Sequence, residues 1–222
     1  MSIPKIQLSP QEMVLVNDTN WILTKYLVIK KVYDFFGELL LEYKKEIIPF
    51  TYLFPKNIEH QGGKISRGEN YKLLPYVILD YPAFFWKDNI FAIRTMFWWG
   101  HFFSITLQLS GSHKRKLIGN SVEIMNWLVK NDFFICVSEG EWSHHFESDN
   151  YLGVKDISGE IFHEILENNF LKISKNIPLT ELNNADTFLL HSFRELLQFL
   201  EVNFPAGEKD LSPESPIAGS GL

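Results

Sequence analysis

The chain has 222 residues, 45% hydrophobic and 22% charged, which is typical of a soluble globular protein long enough to bury a full core. Its formal net charge of −6 argues against a nucleic-acid partner. Cys136 is the single cysteine, which excludes a disulfide within the chain, and the opening residues do not resemble a signal peptide. We therefore expect a cytoplasmic protein with a buried thiol.

The first fifty residues predict two helices. Ser9, Pro10 and Glu12 form a capping-box pattern that starts a short helix, and Asn17-Asp18-Thr19 predicts a second cap soon after. Apolar residues then recur at spacings of three and four from about residue 20 to residue 46, which indicates one long amphipathic helix. Its stripe comprises Ile22, Tyr26, Ile29, Val32, Phe36, Leu39, Tyr43 and Ile47. Residues 55–68 predict a polar loop.

The stretch from residue 67 to residue 111 predicts three strands, because it is rich in aromatic and β-branched residues and its second half alternates. A reversal at Trp99-Gly100 would place Arg94 opposite Ile105, so that Arg94 and His101 would lie on the apolar face. A buried charge there requires a partner, and Asp80 ends the preceding strand.

These polar residues suggest a pocket for a small anionic ligand. We expect Arg67, Tyr71 and Arg94 to bind the ligand. Catalytic proton transfer would then fall to Glu69, Asp80 or His101. The alternative is a structural Arg–carboxylate pair with a core histidine. The polar residues spread along this apolar run also argue against a membrane span.

A second candidate anion site follows the last of these strands. Ser112, Lys114 and Arg115 lie in a glycine-containing turn before a helix, where backbone N–H groups could hold a phosphate. A solvated basic turn is the alternative. The helix could also begin later, at residues 119–121, which would leave residues 111–118 as loop.

The second half of the chain offers a metal site as an alternative. Residues 142–147 predict the returning strand of a hairpin, on which His145 and Glu147 would share a face. A third ligand would have to come from His163 or His191, so polar residues on an edge hairpin are the alternative. No cofactor is predicted.

The remaining chain predicts a helix over residues 159–168, an edge strand over residues 170–175 because of its lysines, and a final helix ending before Pro205. Residues 1–204 are expected to form a single globular domain. Residues 205–222 are expected to form a disordered polar tail.

This order of elements predicts an α+β fold, with a mostly antiparallel sheet of five or six strands and long helices on one face. A doubly wound α/β fold is the alternative. For function, we expect a non-catalytic module that binds a partner protein or a second copy of itself. Its surface would be Phe84, Phe85, Trp86, Trp98 and Trp99. The alternatives are an enzyme or binding protein for a small anionic ligand, and a non-haem metal enzyme.

Overall fold

The computed structural model describes residues 5–54 and 62–204. The helices are α1 (Pro10–Asn17), α2 (Thr19–Glu46), α3 (Gly111–Lys114), α4 (Ser121–Lys130), α5 (Gly159–Glu167) and α6 (Ala185–Asn203). The strands are β1 (Lys64–Tyr71), β2 (Leu74–Trp86), β3 (Asn89–Trp98), β4 (Phe102–Ser110), β5 (Phe134–Cys136), β6 (Tyr151–Gly153) and β7 (Phe170–Pro178). Short 3₁₀ turns span Ile48–Leu53, Val154–Asp156 and Leu179–Asn184.

Local side-chain caps start several of these helices. The Ser9 hydroxyl accepts from the Glu12 backbone N–H, and the Glu12 carboxylate accepts from the Ser9 N–H, so the predicted capping box of α1 is confirmed. Asp18 accepts from two backbone N–H groups at the start of α2, as predicted. Asn120 caps α4, which confirms the later of the two helix starts considered there.

The strands form one antiparallel sheet in the order β1-β2-β3-β4-β7-β5-β6. The α+β prediction is confirmed, with seven strands rather than five or six. The additional strands come from β1, within the stretch predicted as a loop, and from β6. The predicted strand over residues 142–147 is wrong, because this segment is irregular and β6 is the partner of β5.

Strand β7 lies inside the sheet, between β4 and β5, so its prediction as an edge strand is wrong. Lysines at an edge are usually solvated. Here the Lys172 ammonium donates to backbone carbonyls, and Lys175 pairs with Glu195 of α6 at 2.8 Å. Their charges are therefore satisfied by the protein.

The predicted register between β3 and β4 is also wrong by one residue. The turn contains Trp99, Gly100 and His101, so Trp98 pairs with Phe102 and Arg94 pairs with Thr106. Gly100 has a φ of +77°, which favours glycine and allows the three-residue turn. Because side chains alternate along a strand, this shift decides which face each residue occupies.

The helices pack against one face of the sheet. Phe36 and Tyr43 of α2 and Phe193 of α6 are fully buried in this core, and the Tyr43 and Phe193 rings stack at 3.8 Å. Alternate residues of β3 and β4 complete it, including Phe97, Phe103, Ile105 and Leu107. Arg94, Met96 and Trp98 point to the opposite face. The second face of the sheet therefore carries no helix.

Within residues 5–54 and 62–204, no helix combines the length and the apolar character that crossing a membrane requires. Cys136 is buried, as expected. The predicted polar tail (205–222) and part of the predicted polar loop (55–61) lie outside the described residues.

Candidate functional site

A row of polar residues crosses the face of the sheet that carries no helices. The strand register aligns Asp80 with Arg94, Arg94 with Thr106, and Thr106 with Ser174, one residue from each of four neighbouring strands. The hydroxyls of Thr106 and Ser174 are 2.7 Å apart. Gln108 and Lys172 form the next cross-strand pair, so a polar band spans the centre of this face.

A loop of residues 137–150, the covering loop, lies over this band. Lys172 donates to the carbonyls of Glu141 and Ser143, and the Gln108 amide donates to the Glu141 carboxylate at 3.0 Å. Further along, Phe146 stacks on Tyr151 at 4.6 Å. These contacts hold the loop on the sheet through side chains of its central strands.

Tyr71 at the end of β1 connects the sheet edge to the covering loop. Its hydroxyl oxygen accepts from the backbone N–H groups of His144 and His145, at 2.6 and 3.1 Å. The hydroxyl proton is therefore donated to His145 Nδ1 at 2.9 Å. Because Nδ1 accepts, the ring N–H of His145 must lie on Nε2, which donates to Asp149 at 3.1 Å.

Arg94 is the central charged residue on the face of the sheet that carries no helices. Its Nε and Nη2 donate to the two Asp80 carboxylate oxygens at 2.7 and 3.0 Å, a bidentate pair, and Nη1 lies 3.3 Å from His144 Nε2. A carboxylate partner for Arg94 was expected, and Asp80 is that partner. Both side chains are largely buried.

His144 is neutral in this site. Burial lowers the pKa of His144 well below its usual value, and the nearby charges of Lys172 and Arg94 lower it further. An arginine N–H can only donate, so His144 Nε2 must accept from Arg94 and the ring proton must lie on Nδ1. His144 therefore offers a fixed hydrogen-bond donor.

A cleft of about 1010 Å³ opens beside this pair of side chains. Its floor includes Asp80, Arg94 and His144, and Tyr71 and Tyr76 line one side. Its rim carries two partly exposed rings, Phe85 and Trp142, with centroids 6.4 Å apart. The Arg94 guanidinium carbon lies 5.8 Å and 6.0 Å from these two centroids, so both rings border the cation.

Three of the residues predicted for this pocket lie elsewhere. Arg67 pairs with Val77, whose side chain lies on the helix face, so Arg67 is on the opposite side from Arg94. Glu69 forms an ion pair with Lys25 of α2. His101 lies in the β3–β4 turn, exposed and stacked on the Trp98 ring at 3.6 Å. The structure brings together Asp80, Arg94 and Tyr71.

The residues of the predicted basic turn already contact protein acceptors. The Ser112 backbone N–H donates to the Asn89 side chain at 2.7 Å, and the Lys114 ammonium donates to the carbonyls of Leu166 and Asn168 at the end of α5. Burial lowers the pKa of Lys114. Arg115 is exposed. Lys114 thus serves as a cap for α5, which favours cations at its C-terminal end.

His145 and Glu147, the metal alternative, lie close together with Asp149. One ligand atom from each of the three falls within 4.8 Å of the others. The Nε2 atom that faces these carboxylates carries the ring proton, because Tyr71 occupies Nδ1 as a donor. The arrangement is therefore a histidine held between carboxylates, and metal binding stays a prediction.

Sequence reasoning missed His144, Lys172 and Trp142 as site residues. The alternation Leu171-Lys172-Ile173 was the available signal for Lys172, but it was interpreted as a strand edge. His144 and Trp142 had no such signal, because they reach the sheet through an irregular loop.

The predicted aromatic surface is only partly exposed. Trp98 is buried, Phe84 and Trp99 are half-buried, and only Phe85 and Trp86 are exposed. The largest run of exposed apolar residues lies instead in residues 5–27, the helical arm, which comprises α1 and the first turns of α2. Every residue from 5 to 24 is exposed. The exposed large apolar residues of the arm are Ile6, Leu8, Met13, Val14, Leu15, Val16, Trp21, Ile22, Leu23, Tyr26 and Leu27.

No protein-family model, no curated protein and no solved structure matches this chain.

Proposed function

We propose that this protein is a non-catalytic assembly module whose helical arm packs against the arm of a second copy. The observation that carries the proposal is the continuity of the α2 stripe. Phe36, Leu39 and Tyr43 are buried on the sheet, while Ile22 and Tyr26, on the same stripe, are exposed. The apolar face of the helix thus extends beyond the core that covers it.

Helix α1 strengthens this argument, because none of its residues is buried. Isolated helices shorter than about 12–15 residues are marginal in water, and α1 has eight. Its run Met13-Val14-Leu15-Val16 places apolar side chains on all sides of the helix. A helix of this kind requires neighbours on several sides, as it would have between two subunits.

The charge of the arm favours a second copy over a membrane. Lys5 and Lys25 balance Glu12 and Asp18, so the arm has no formal net charge and two arms do not repel each other. Helices that lie on membranes are rich in lysine and arginine on one polar face, which the arm is not. Its 23 residues also match a standard interface, which takes about 20–30 residues from each partner.

Native mass spectrometry and light scattering of the full chain test this proposal. We expect a dimer at about 50 µM for a standard-size interface, and a monomer for the double variant Val14→Glu with Leu23→Glu. A control pair at exposed leucines outside the arm, Leu73→Glu with Leu182→Glu, should remain dimeric. Circular dichroism should show that all three chains are folded.

Two results would contradict the proposal. One is a wild-type monomer at this concentration, and the other is a dimer that survives both charges in the arm. Wild-type monomers that sediment with lipid vesicles would assign the arm to a membrane instead. A cytoplasmic location, no nucleic-acid partner and no cofactor remain part of the proposal on the basis of composition alone.

A further inference from the structure

The cleft on the face of the sheet without helices is a second feature, independent of the helical arm. We propose that it binds a small aromatic monocarboxylate, with the carboxylate on Arg94 and the ring against Phe85 and Trp142.

Arg94 lines the cleft and retains N–H donors for a ligand. A guanidinium has five N–H groups, and Arg94 uses three of them on Asp80 and His144. Among the described residues no hydrogen bond takes the other two, one on each terminal nitrogen. Two neighbouring N–H donors are the arrangement that a planar carboxylate accepts.

The net charge of the cleft selects a monoanion. Among the described residues that line it, Lys64 and Arg94 are positive, Asp80 is negative and His144 is neutral, so the sum is +1. A carboxylate balances this charge, whereas a phosphate dianion would leave excess negative charge beside the largely buried Asp80.

The distances select the rest of the ligand. The Arg94 guanidinium lies within 6.0 Å of both rim centroids, so a carboxylate on Arg94 places a ring attached one or two bonds away against Phe85 and Trp142. Phenylacetate has this separation. The rim rings are exposed by 42% and 54%, and covering them with an apolar ring removes that surface from water.

Isothermal titration with three probes tests the proposal. Phenylacetate should bind with a Kd below about 1 mM. Its neutral counterpart phenylacetamide should bind at least about tenfold more weakly, since it lacks the charge-assisted hydrogen bonds. Acetate, which lacks the ring, should also bind at least about tenfold more weakly.

Trp142→Ala and Trp86→Ala form a matched pair, because the two tryptophans are similarly exposed and only Trp142 lines the cleft. Trp142→Ala should weaken phenylacetate binding about tenfold, while Trp86→Ala leaves it within about twofold.

Three results would overturn the proposal. These are the absence of phenylacetate binding to the folded wild type, equal affinity for acid and amide, and equal effects of the two tryptophan variants. Because the arm is not part of the cleft, a monomeric wild type would contradict the assembly proposal without affecting this one.

Discussion

Lys172 is a lysine whose ammonium is removed from water by a loop. The residue is 1% exposed, and its ammonium donates to two carbonyls of the covering loop and lies 5.3 Å from the Tyr151 ring centroid. Burial lowers the pKa of Lys172 to about 8, because the charged form loses its hydration. Lys172 thus holds the covering loop on the sheet, and the free-energy cost of burying its charge depends on pH.

The pH dependence follows from the direction of this shift. Below pH 8 the lysine is charged in both states, and the folded state bears the full desolvation cost. Between about pH 8 and 10.5 the folded chain releases its proton first, so the free energy of unfolding rises with pH. Between pH 7 and 9.5, wild type should gain about 2 kcal/mol relative to Lys172→Met in urea unfolding.

Lys155→Met is the control for this experiment, because Lys155 is largely exposed. Measured over the same pH range, this variant gives the effect of removing a lysine from the surface, with which the effect of Lys172→Met is compared. Parallel pH curves for wild type and Lys172→Met would show that Lys172 titrates as an ordinary lysine, and the buried charge would then be refuted.

Glycine has a specific role at one position of the predicted basic turn. Gly111 has a φ of +56°, and a β-carbon there would lie 2.5 Å from the Asp88 carbonyl oxygen. The turn is therefore built for close contact with the β2–β3 hairpin. The same approach allows the Ser112 N–H to reach Asn89.

At the scale of the element, α2 has two parts with different environments. Its 28 residues extend about 42 Å at 1.5 Å per residue. From Ile29 onwards the helix buries apolar side chains on the sheet, whereas the apolar side chains of its first turns, within the helical arm, are exposed. The apolar stripe of α2 thus packs on the core within the chain, and we propose that its exposed part packs on a second chain.

Alanine substitutions on the α2 stripe should separate these two environments. Phe36→Ala removes a fully buried ring and should lower the free energy of unfolding by about 3–5 kcal/mol. Tyr26→Ala removes an exposed ring and should change it by less than about 0.5 kcal/mol at concentrations where the chain is monomeric. Similar losses for both would mean that residue 26 is buried within one chain.

The hairpin between β3 and β4 shows how one residue of register changes a site. A two-residue turn would have placed Arg94 on the face of Phe103, within the core. The three-residue turn places it across from Thr106 and beside Asp80. Because of this turn, Arg94 lies on the face of the sheet without helices, where the cleft is.

At the scale of the whole molecule, the two faces of the sheet have different surroundings. The helix face forms the core, and the other face carries a polar band, a covering loop and the cleft. The helical arm extends from the helix layer, so the proposed assembly and the proposed ligand binding would use different parts of the surface.

The assembly proposal predicts that thermal stability depends on protein concentration. Association stabilises the folded state by mass action, so the midpoint of wild type should rise as the concentration increases from about 1 to 100 µM. The double variant Val14→Glu with Leu23→Glu should have a midpoint independent of concentration. A constant midpoint for wild type would contradict a folded-state dimer.

The sequence by itself determined the elements that depend on local interactions. Helices α1, α2, α5 and α6 follow from side-chain caps and apolar spacing, and β4 follows from the alternation of apolar and polar residues along it. The need of Arg94 for a carboxylate also follows from the cost of burying a charge. These features depend on residues close together in the chain or on a single side chain.

Only the tertiary structure decided the register of the β3–β4 turn, the interior position of β7 and the contacts of the covering loop. Lysines on a strand look the same in sequence whether water or protein carbonyls satisfy them, and Lys172 differs only through residues 141 and 143. The same is true of the stripe of α2, whose periodicity continues unchanged from Phe36 back to Ile22. The extent of the sheet, which no local pattern encodes, decides where the burial of this stripe stops.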